Sequence, residues 1–233
     1  MTTVDDQGQG ARTGAAPGSD HRSGEAPAHR ADPAPDTTAA AANPALVGVP
    51  TFVIGAVSLG LYLVGFTGSS TALVGMVPIL FMCTGIGQLI ATAWAVKTGA
   101  GPQAAIFGIF AGFWLSFAVL ATALGNDWFG PSSTDTAVAA GAQETFLLSW
   151  LIGVVVLTLA SLRLPSVFTL LFVLVDIALL LVLLGTAADS TGLLFGGGIA
   201  VFAFTLVGVY LFVDAMGQAT GGKAMPMGKP IIS

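Results

Sequence analysis

Along most of this chain apolar residues do not alternate with polar ones at a helix or strand period; they come in blocks. From Leu46 onward there are six apolar stretches, at roughly 46–66, 72–96, 104–125, 144–163, 165–187 and 192–213. Each is long enough to cross a hydrocarbon core of about 30 Å as a helix. Backbone polar groups in lipid must be satisfied within their own segment, so uninterrupted runs of this length predict helices and not strands. Breakers punctuate the runs at Thr67 to Thr71, Thr98 to Gln103, Gly125 to Gln143, Arg163 to Pro165 and Ala188 to Gly192. The division between the fourth and fifth stretches rests on Arg163 and Pro165 alone.

The first 42 residues are of another kind. They hold no Leu, Ile, Phe, Trp or Tyr and a single Val4, and are rich in Ala, Gly, Pro, Asp and Ser. Such a segment cannot bury enough apolar area to offset the entropy of ordering, which predicts a disordered tail over 1–42. It also lacks the apolar core of a signal peptide. The expected organisation is therefore this tail, a six-helix transmembrane domain over 43–216, and a short tail over 217–233.

Charge sharpens the picture. Of the 233 residues only 8% are charged, and nine of those side chains lie in 1–42. The rest of the chain carries too little polar surface for a water-soluble fold. With six spans, the first tail, the second and fourth connections and the last tail share one side. All seven basic residues fall there: Arg12, Arg22, Arg30, Lys97, Arg163, Lys223 and Lys229. The opposite side carries Asp127, Asp135, Glu144 and Asp189. The positive-inside rule then predicts an all-α, multi-pass protein of the cytoplasmic membrane with both termini cytoplasmic. Trp94, Trp128 and Trp150 read as interfacial anchors at or near helix ends.

Several chemistries are excluded. The acidic balance lacks the basic face that nucleic-acid binding needs, and one cysteine, Cys83, rules out a disulfide scaffold. The only histidines, His21 and His29, lie in the tail. No span carries a serine–histidine pair, a metal-ligand cluster or a mid-span lysine, so no enzyme, metal or cofactor is expected. Gly217-Gln-Ala-Thr-Gly-Gly222-Lys223-Ala224 imitates a phosphate-binding loop, but Ala224 replaces the magnesium-binding hydroxyl and the segment follows a membrane helix, not a strand. It reads as a flexible exit loop. Without an ATP site, any transport is passive or ion-coupled.

A few residues could serve transport. Asn43-Pro44 opens the first helix with a strong cap and a proline suited to the first turn; a helix N-terminus also favours anions, so Asn43 reads as cap, substrate contact or both. Asp176 is the single acid deep in a span. A charge there costs roughly 2.5–3.5 kcal/mol on insertion scales, so it reads either as a proton site or as a neutral hydrogen-bond partner between helices. Gln88 both donates and accepts and can meet a carboxylate or a neighbouring helix. Gly108 and Gly112 are spaced for helix packing. Phe52, Phe110, Phe113 and Trp114 can narrow a pore, although aromatics in membrane helices mostly pack.

Four elements in order carry a resemblance: Asn43-Pro44-Ala45 followed by Gly48, Gly85-Ile-Gly-Gln88, Gly112-Phe113-Trp114-Leu115, and Pro226-Met227-Gly228. Together they resemble the acetate uptake transporter family, the SatP or YaaH-like succinate–acetate permeases, over nearly all of residues 43–230. The resemblance implies six helices around a central pore in each protomer, a homo-oligomer that is a hexamer, and uptake of acetate, in some members succinate, with a proton. It further implies a substrate pathway through Asn43, Gln88 and Trp114, and a hydrophobic constriction at Phe52, Phe110 and Val175. The chain departs from that pattern at Phe110, where relatives often carry Tyr, at Val175, where they carry Leu, at Leu46, where a proline is usual, and at Asp176, where relatives are uncharged.

The expected function is uptake of acetate or another short carboxylate across the membrane, proton-coupled or channel-like. Acetate is a small anion with a methyl group; it needs a few donors and an apolar neck, and a buried arginine would trap it. Anion plus proton is electroneutral, which avoids about 2.3 kcal/mol per charge per 100 mV. The alternatives are a channel for neutral solutes such as urea, short amides or ammonia, and a non-transporting membrane sensor or assembly protein that works through its tail. The partners expected are the carboxylate, the proton, membrane lipid and further copies of the chain.

Overall fold

The computed structural model describes residues 43–128, 130 and 136–232. The tail reading over 1–42, with His21, His29, Arg12, Arg22 and Arg30, falls outside the described residues, as does Asp135. The elements are α1 (Ala45–Leu63), α2 (Ser69–Pro78), a π-helical segment (Ile79–Gly85), α3 (Ile86–Lys97), α4 (Gly101–Gly125), α5 (Thr136–Ala160), a 3-10 turn (Ser161–Arg163), α6 (Ser166–Ala187) and α7 (Thr191–Ala219). Six helical segments are long and apolar enough to cross a membrane, with α2, the π segment and α3 forming the second. Large apolar side chains stand exposed on their outer faces, Val74, Val156 and Leu206 among them, as expected where lipid and not water is the neighbour.

Two helix boundaries differ from the sequence expectation. The fourth span begins at Thr136 and not near 144, because Thr136 to Gln143 is rich in alanine, the strongest helix former, though too polar to count as an apolar run. The last span continues to Ala219, past 213 and 216, since Asp214 and Gln218 hydrogen-bond one turn apart within it. The early start of α5 also moves Trp150 to mid-helix. It is not an interfacial anchor: its ring meets Phe113 edge-on, centroids 5.4 Å apart. Leu164 turns extended ahead of Pro165, which cannot continue a helix, so the fourth and fifth spans do separate at Arg163 to Pro165.

The second span is not one regular helix. Pro78 removes an N–H from the ladder, and the next seven residues widen into a π-helix. One extra residue in a turn rotates everything after it by about 100° relative to an α-helix of 3.6 residues per turn. The rotated segment turns Thr84 and Gln88, one turn apart, inward. Thr84 Oγ1 sits where a Cβ on Gly55 would lie, so α1 and the π segment cross at glycine distance. Gly87 repeats the device against Thr51, whose Cγ2 would lie 2.5 Å from an added Cβ.

The spans close into a ring in the order α1, second span, α4, α5, α6, α7 and back to α1. Most joints are backbone-close. The joint between α4 and α5 is the slackest and is filled by rings, with Phe117 against Phe146 at 5.8 Å and Phe113 against Trp150. The core lies inside this ring, built around Phe52, Phe110, Trp114, Phe172 and Phe204.

Candidate functional site

Two cavities lie end to end within the ring. The larger, about 800 Å³, is lined by the end of α1 (Tyr62, Leu63), the end of α4 (Leu124), the early part of α5 (Gln143), the end of α6 (Thr186) and the start of α7 (Thr191). It therefore opens on the side of Asp127 and Asp189. The smaller, about 160 Å³, is lined by Asn43 and Ala45 at the start of α1, Gln103 at the start of α4, Phe168 at the start of α6 and Asp214 near the end of α7. It lies on the side of Lys97 and Arg163. At about 30 Å³ of liquid per water, it has room for a solute of a few heavy atoms.

Phe52 and Phe110 are the two residues that line both cavities. Their rings meet edge-on with centroids 5.4 Å apart and form the neck between the chambers. Neighbouring rings hold them: Phe204 lies 5.5 Å and Trp114 6.2 Å from Phe52, and Phe172 stacks on Phe110 at 6.0 Å. Each such pair contributes about 0.5–1.5 kcal/mol beyond its buried area, which holds the two rings together at rest. Val175 lines the larger chamber above the neck, and Phe172, one turn earlier on α6, lines the smaller one below it. Sequence reasoning missed Phe172 and Phe204. Their spacing from Val175 and Gly208 at helical period was visible, but nothing in the sequence said which face of α6 and α7 turns inward.

Polar chemistry sits on either side of the neck. Gln88 is 1% exposed and lines the smaller chamber, yet neither its Nε2 nor its Oε1 has a hydrogen-bond partner among the described residues. Trp114 is equally buried and lines the larger chamber, and its Nε1 is likewise unpartnered. A buried polar group left unpaired costs about 1–3 kcal/mol, so these groups are held at a standing cost, one in the lining of each chamber. Among the described residues no Lys, Arg or His lines either chamber. Thr84 Oγ1 is also buried and unpartnered, though Thr84 lines neither chamber.

Asn43 both caps a helix and lines a chamber. Its Oδ1 accepts from Ala45 N at 3.0 Å and so caps α1, while the residue lines the smaller chamber. Asp176 stands apart. It lines neither chamber; its Oδ2 accepts from Thr158 Oγ1 on α5 at 2.7 Å, while its Oδ1 is buried without a hydrogen-bond partner among the described residues. Asp214 went unnoticed in the sequence because it lies one residue beyond the apolar stretch. It is 8% exposed and lines the smaller chamber, but both its oxygens are occupied, by Met225 N at 2.6 Å and Gln218 Nε2 at 2.7 Å.

This ring of six spans has known counterparts. The GPR1/FUN34/yaaH family matches the chain over residues 27–222. The chain belongs to that family. Among curated family relatives, Acetate permease A of Emericella nidulans is 27% identical over 147 residues, 62% of this chain and 49% of that protein. Accumulation of dyads protein 2 of Saccharomyces cerevisiae is 30% identical over 167 residues, 68% of this chain and 55% of that protein. The chain thus spans about half the length of the curated relatives it matches. The solved structure of the bacterial acetate channel SatP superposes with a TM-score of 0.65 at 18% identity, covering 80% of this chain and 98% of that one; this establishes a shared fold. The family match extends sixteen residues ahead of Asn43 and stops before Pro226-Met227-Gly228.

Proposed function

We propose that this protein is a passage for short monocarboxylates, acetate first, across the cytoplasmic membrane, and not an enzyme. The observation that carries the reading is the pair of unpartnered donors, Gln88 and Trp114, on either side of the Phe52–Phe110 neck, with no Lys, Arg or His among the described residues that line the two chambers. A carboxylate shed of water needs donors on arrival and departure and an apolar neck for its methyl group. A lysine or arginine in the path would hold it too long to pass. The names of two relatives, an acetate permease and an acetate channel, support the same substrate.

In the proposed sequence, acetate enters the larger chamber, loses water against its apolar wall, and hydrogen-bonds the indole N–H of Trp114. Side-chain motion of Phe52 and Phe110 lets it past the neck. The Gln88 amide then receives it, and it leaves past Asn43. Movement together with a proton avoids work against the membrane potential. Asp176, bonded to Thr158 away from both chambers, fits better as glue between α5 and α6 than as carrier of that proton. The basic side faces the cytoplasm in this reading, the family resemblance points to a hexamer, and succinate is a second substrate to test.

The deciding experiment is uptake of labelled acetate into proteoliposomes with and without an imposed proton gradient, alongside succinate and urea. Saturable acetate entry that a protonophore abolishes supports the coupled form, and entry indifferent to it supports a channel. Vesicles that stay closed to every short acid but swell in urea would replace the proposal with a neutral-solute channel, which the donor-and-acceptor amide of Gln88 could also serve.

A further inference from the structure

The smaller chamber is lined in part by a segment after the last membrane helix. After α7 the chain folds back instead of leaving as a flexible exit loop. Gly222 N donates to Gly217 O at 2.8 Å and closes the helix end. The following residues then run as a strap from the end of α7 to the start of α6. Met225 N donates to Asp214 Oδ1, Tyr210 Oη donates to Pro226 O at 2.7 Å, and Val167 N donates to Met227 O at 3.2 Å. Ile231 N and Ile232 N both donate to Leu162 O, at 3.0 and 3.1 Å. Gly228 takes φ +74°, and an added Cβ would collide with Ser166 Oγ, so the strap can lie this close to α6 only with glycine there.

The strap does two things at once. Its Met227 carbonyl satisfies one of the free N–H groups in the first turn of α6. Its Met227 side chain, half-buried, packs against the core and lines the smaller chamber. Apart from Asn43, Met227 is the one lining residue of that chamber from outside the helices. Asp214 lines the same chamber and holds the strap through Met225, two residues before Met227.

We propose that Met227 sets the chain length of the acid that can pass, and that Asp214 is the residue that positions it. The inference rests on the carboxylate-passage reading above. A flexible thioether in the lining of a chamber of about 160 Å³ admits a two-carbon acid and obstructs longer ones, and it yields or blocks according to how firmly the strap is tied.

The test is the ratio of butyrate to acetate entry into proteoliposomes, a ratio that does not depend on how much protein is folded. Met227→Ala raises the ratio about tenfold, the scale set by removing methylene contacts from an apolar pocket, and Met227→Phe lowers acetate entry itself. Asp214→Ala reproduces the effect of Met227→Ala. Asp214→Asn, which keeps an oxygen acceptor for Met225 N–H, restores the wild-type ratio. In a chain ending at Gly222, Asp214→Ala adds nothing further, because the strap through which it acts is gone. Wild-type vesicles that carry acetate while Met227→Ala and the shortened chain keep its ratio would overturn the proposal. A change of ratio by Asp214→Ala in the shortened chain would overturn the positioning role. Wild-type vesicles closed to all short acids would instead sink the passage reading on which it stands.

Discussion

Phe52 and Phe110 meet edge-to-face, with ring centroids 5.4 Å apart and planes inclined at 69°, and they alone line both chambers. They come from α1 and α4, helices that barely touch elsewhere. The neck is thus a contact of side chains and not of backbones, so it can open by rotamer changes while the ring of helices stays put.

Replacing either ring tests that neck. Phe52→Ala removes contacts to Phe110, Trp114 and Phe204 and merges the chambers. Entry of acetate rises, discrimination against larger acids falls, and the fold loses about 3–5 kcal/mol, the usual cost of deleting a buried aromatic. Phe110→Tyr keeps the ring contacts and leaves stability within about 1 kcal/mol of the parent. Flux assays and thermal unfolding in detergent measure both.

Gln88 separates function from stability. Gln88→Leu keeps the volume and removes polar atoms that have no partner, so the protein gains stability, by about 1–3 kcal/mol. Acetate entry falls at least about tenfold, since each 1.4 kcal/mol of lost donor contact is a factor of ten. A variant that melts lower and still carries acetate at the parent rate removes Gln88 from the path. Trp114→Phe follows the same logic on the other side of the neck.

Asp176 is expected to matter for packing and not for flux. Asp176→Asn keeps an acceptor for Thr158 and leaves acetate entry and its proton dependence unchanged. Asp176→Leu loses the bond of 2.7 Å between α5 and α6. A double-mutant cycle with Thr158→Val gives a coupling of about 0.6 kcal/mol, the average for such bonds in membranes. Loss of proton-driven uptake in Asp176→Asn would return this carboxyl to the mechanism.

The crossing of α1 over the π segment depends on the missing Cβ at Gly55. Gly55→Ala forces the methyl onto Thr84 and costs about 1–3 kcal/mol as overpacking. Adding Thr84→Ala recovers part of that loss, because the crowded Oγ1 and Cγ2 are gone. Unfolding midpoints of the two single variants and the pair decide it.

The sequence alone determined that the chain enters lipid, that six helices do so, and where Arg163 and Pro165 part the fourth from the fifth. Hydrocarbon tolerates no unpaired backbone, so length and apolarity suffice to specify a spanning helix. They do not specify where such a helix stops when its ends are built from alanine or from a polar pair. Hence α5 starts early at Thr136 and α7 continues past Asp214. Gln88, Trp114, Phe52 and Phe110 were legible as candidates from residue type and resemblance.

Which side chains face one another was a tertiary decision. A helix apolar all round carries no mark of its inner face, so Phe172 and Phe204 stayed hidden while Trp150 passed for an anchor. The π segment after Pro78 turned Thr84 and Gln88 inward, and only the closed ring placed Asp176 against Thr158 and away from both chambers. The strap is the plainest case. Lys223 to Ile232 reads as a short tail after the last span, and it brings Met227 into the lining of a chamber because Asp214, Tyr210, Val167 and Leu162 converge on its backbone in space. Hydrogen bonds between residues so far apart in sequence depend on how the helices assemble, and no local pattern encodes them.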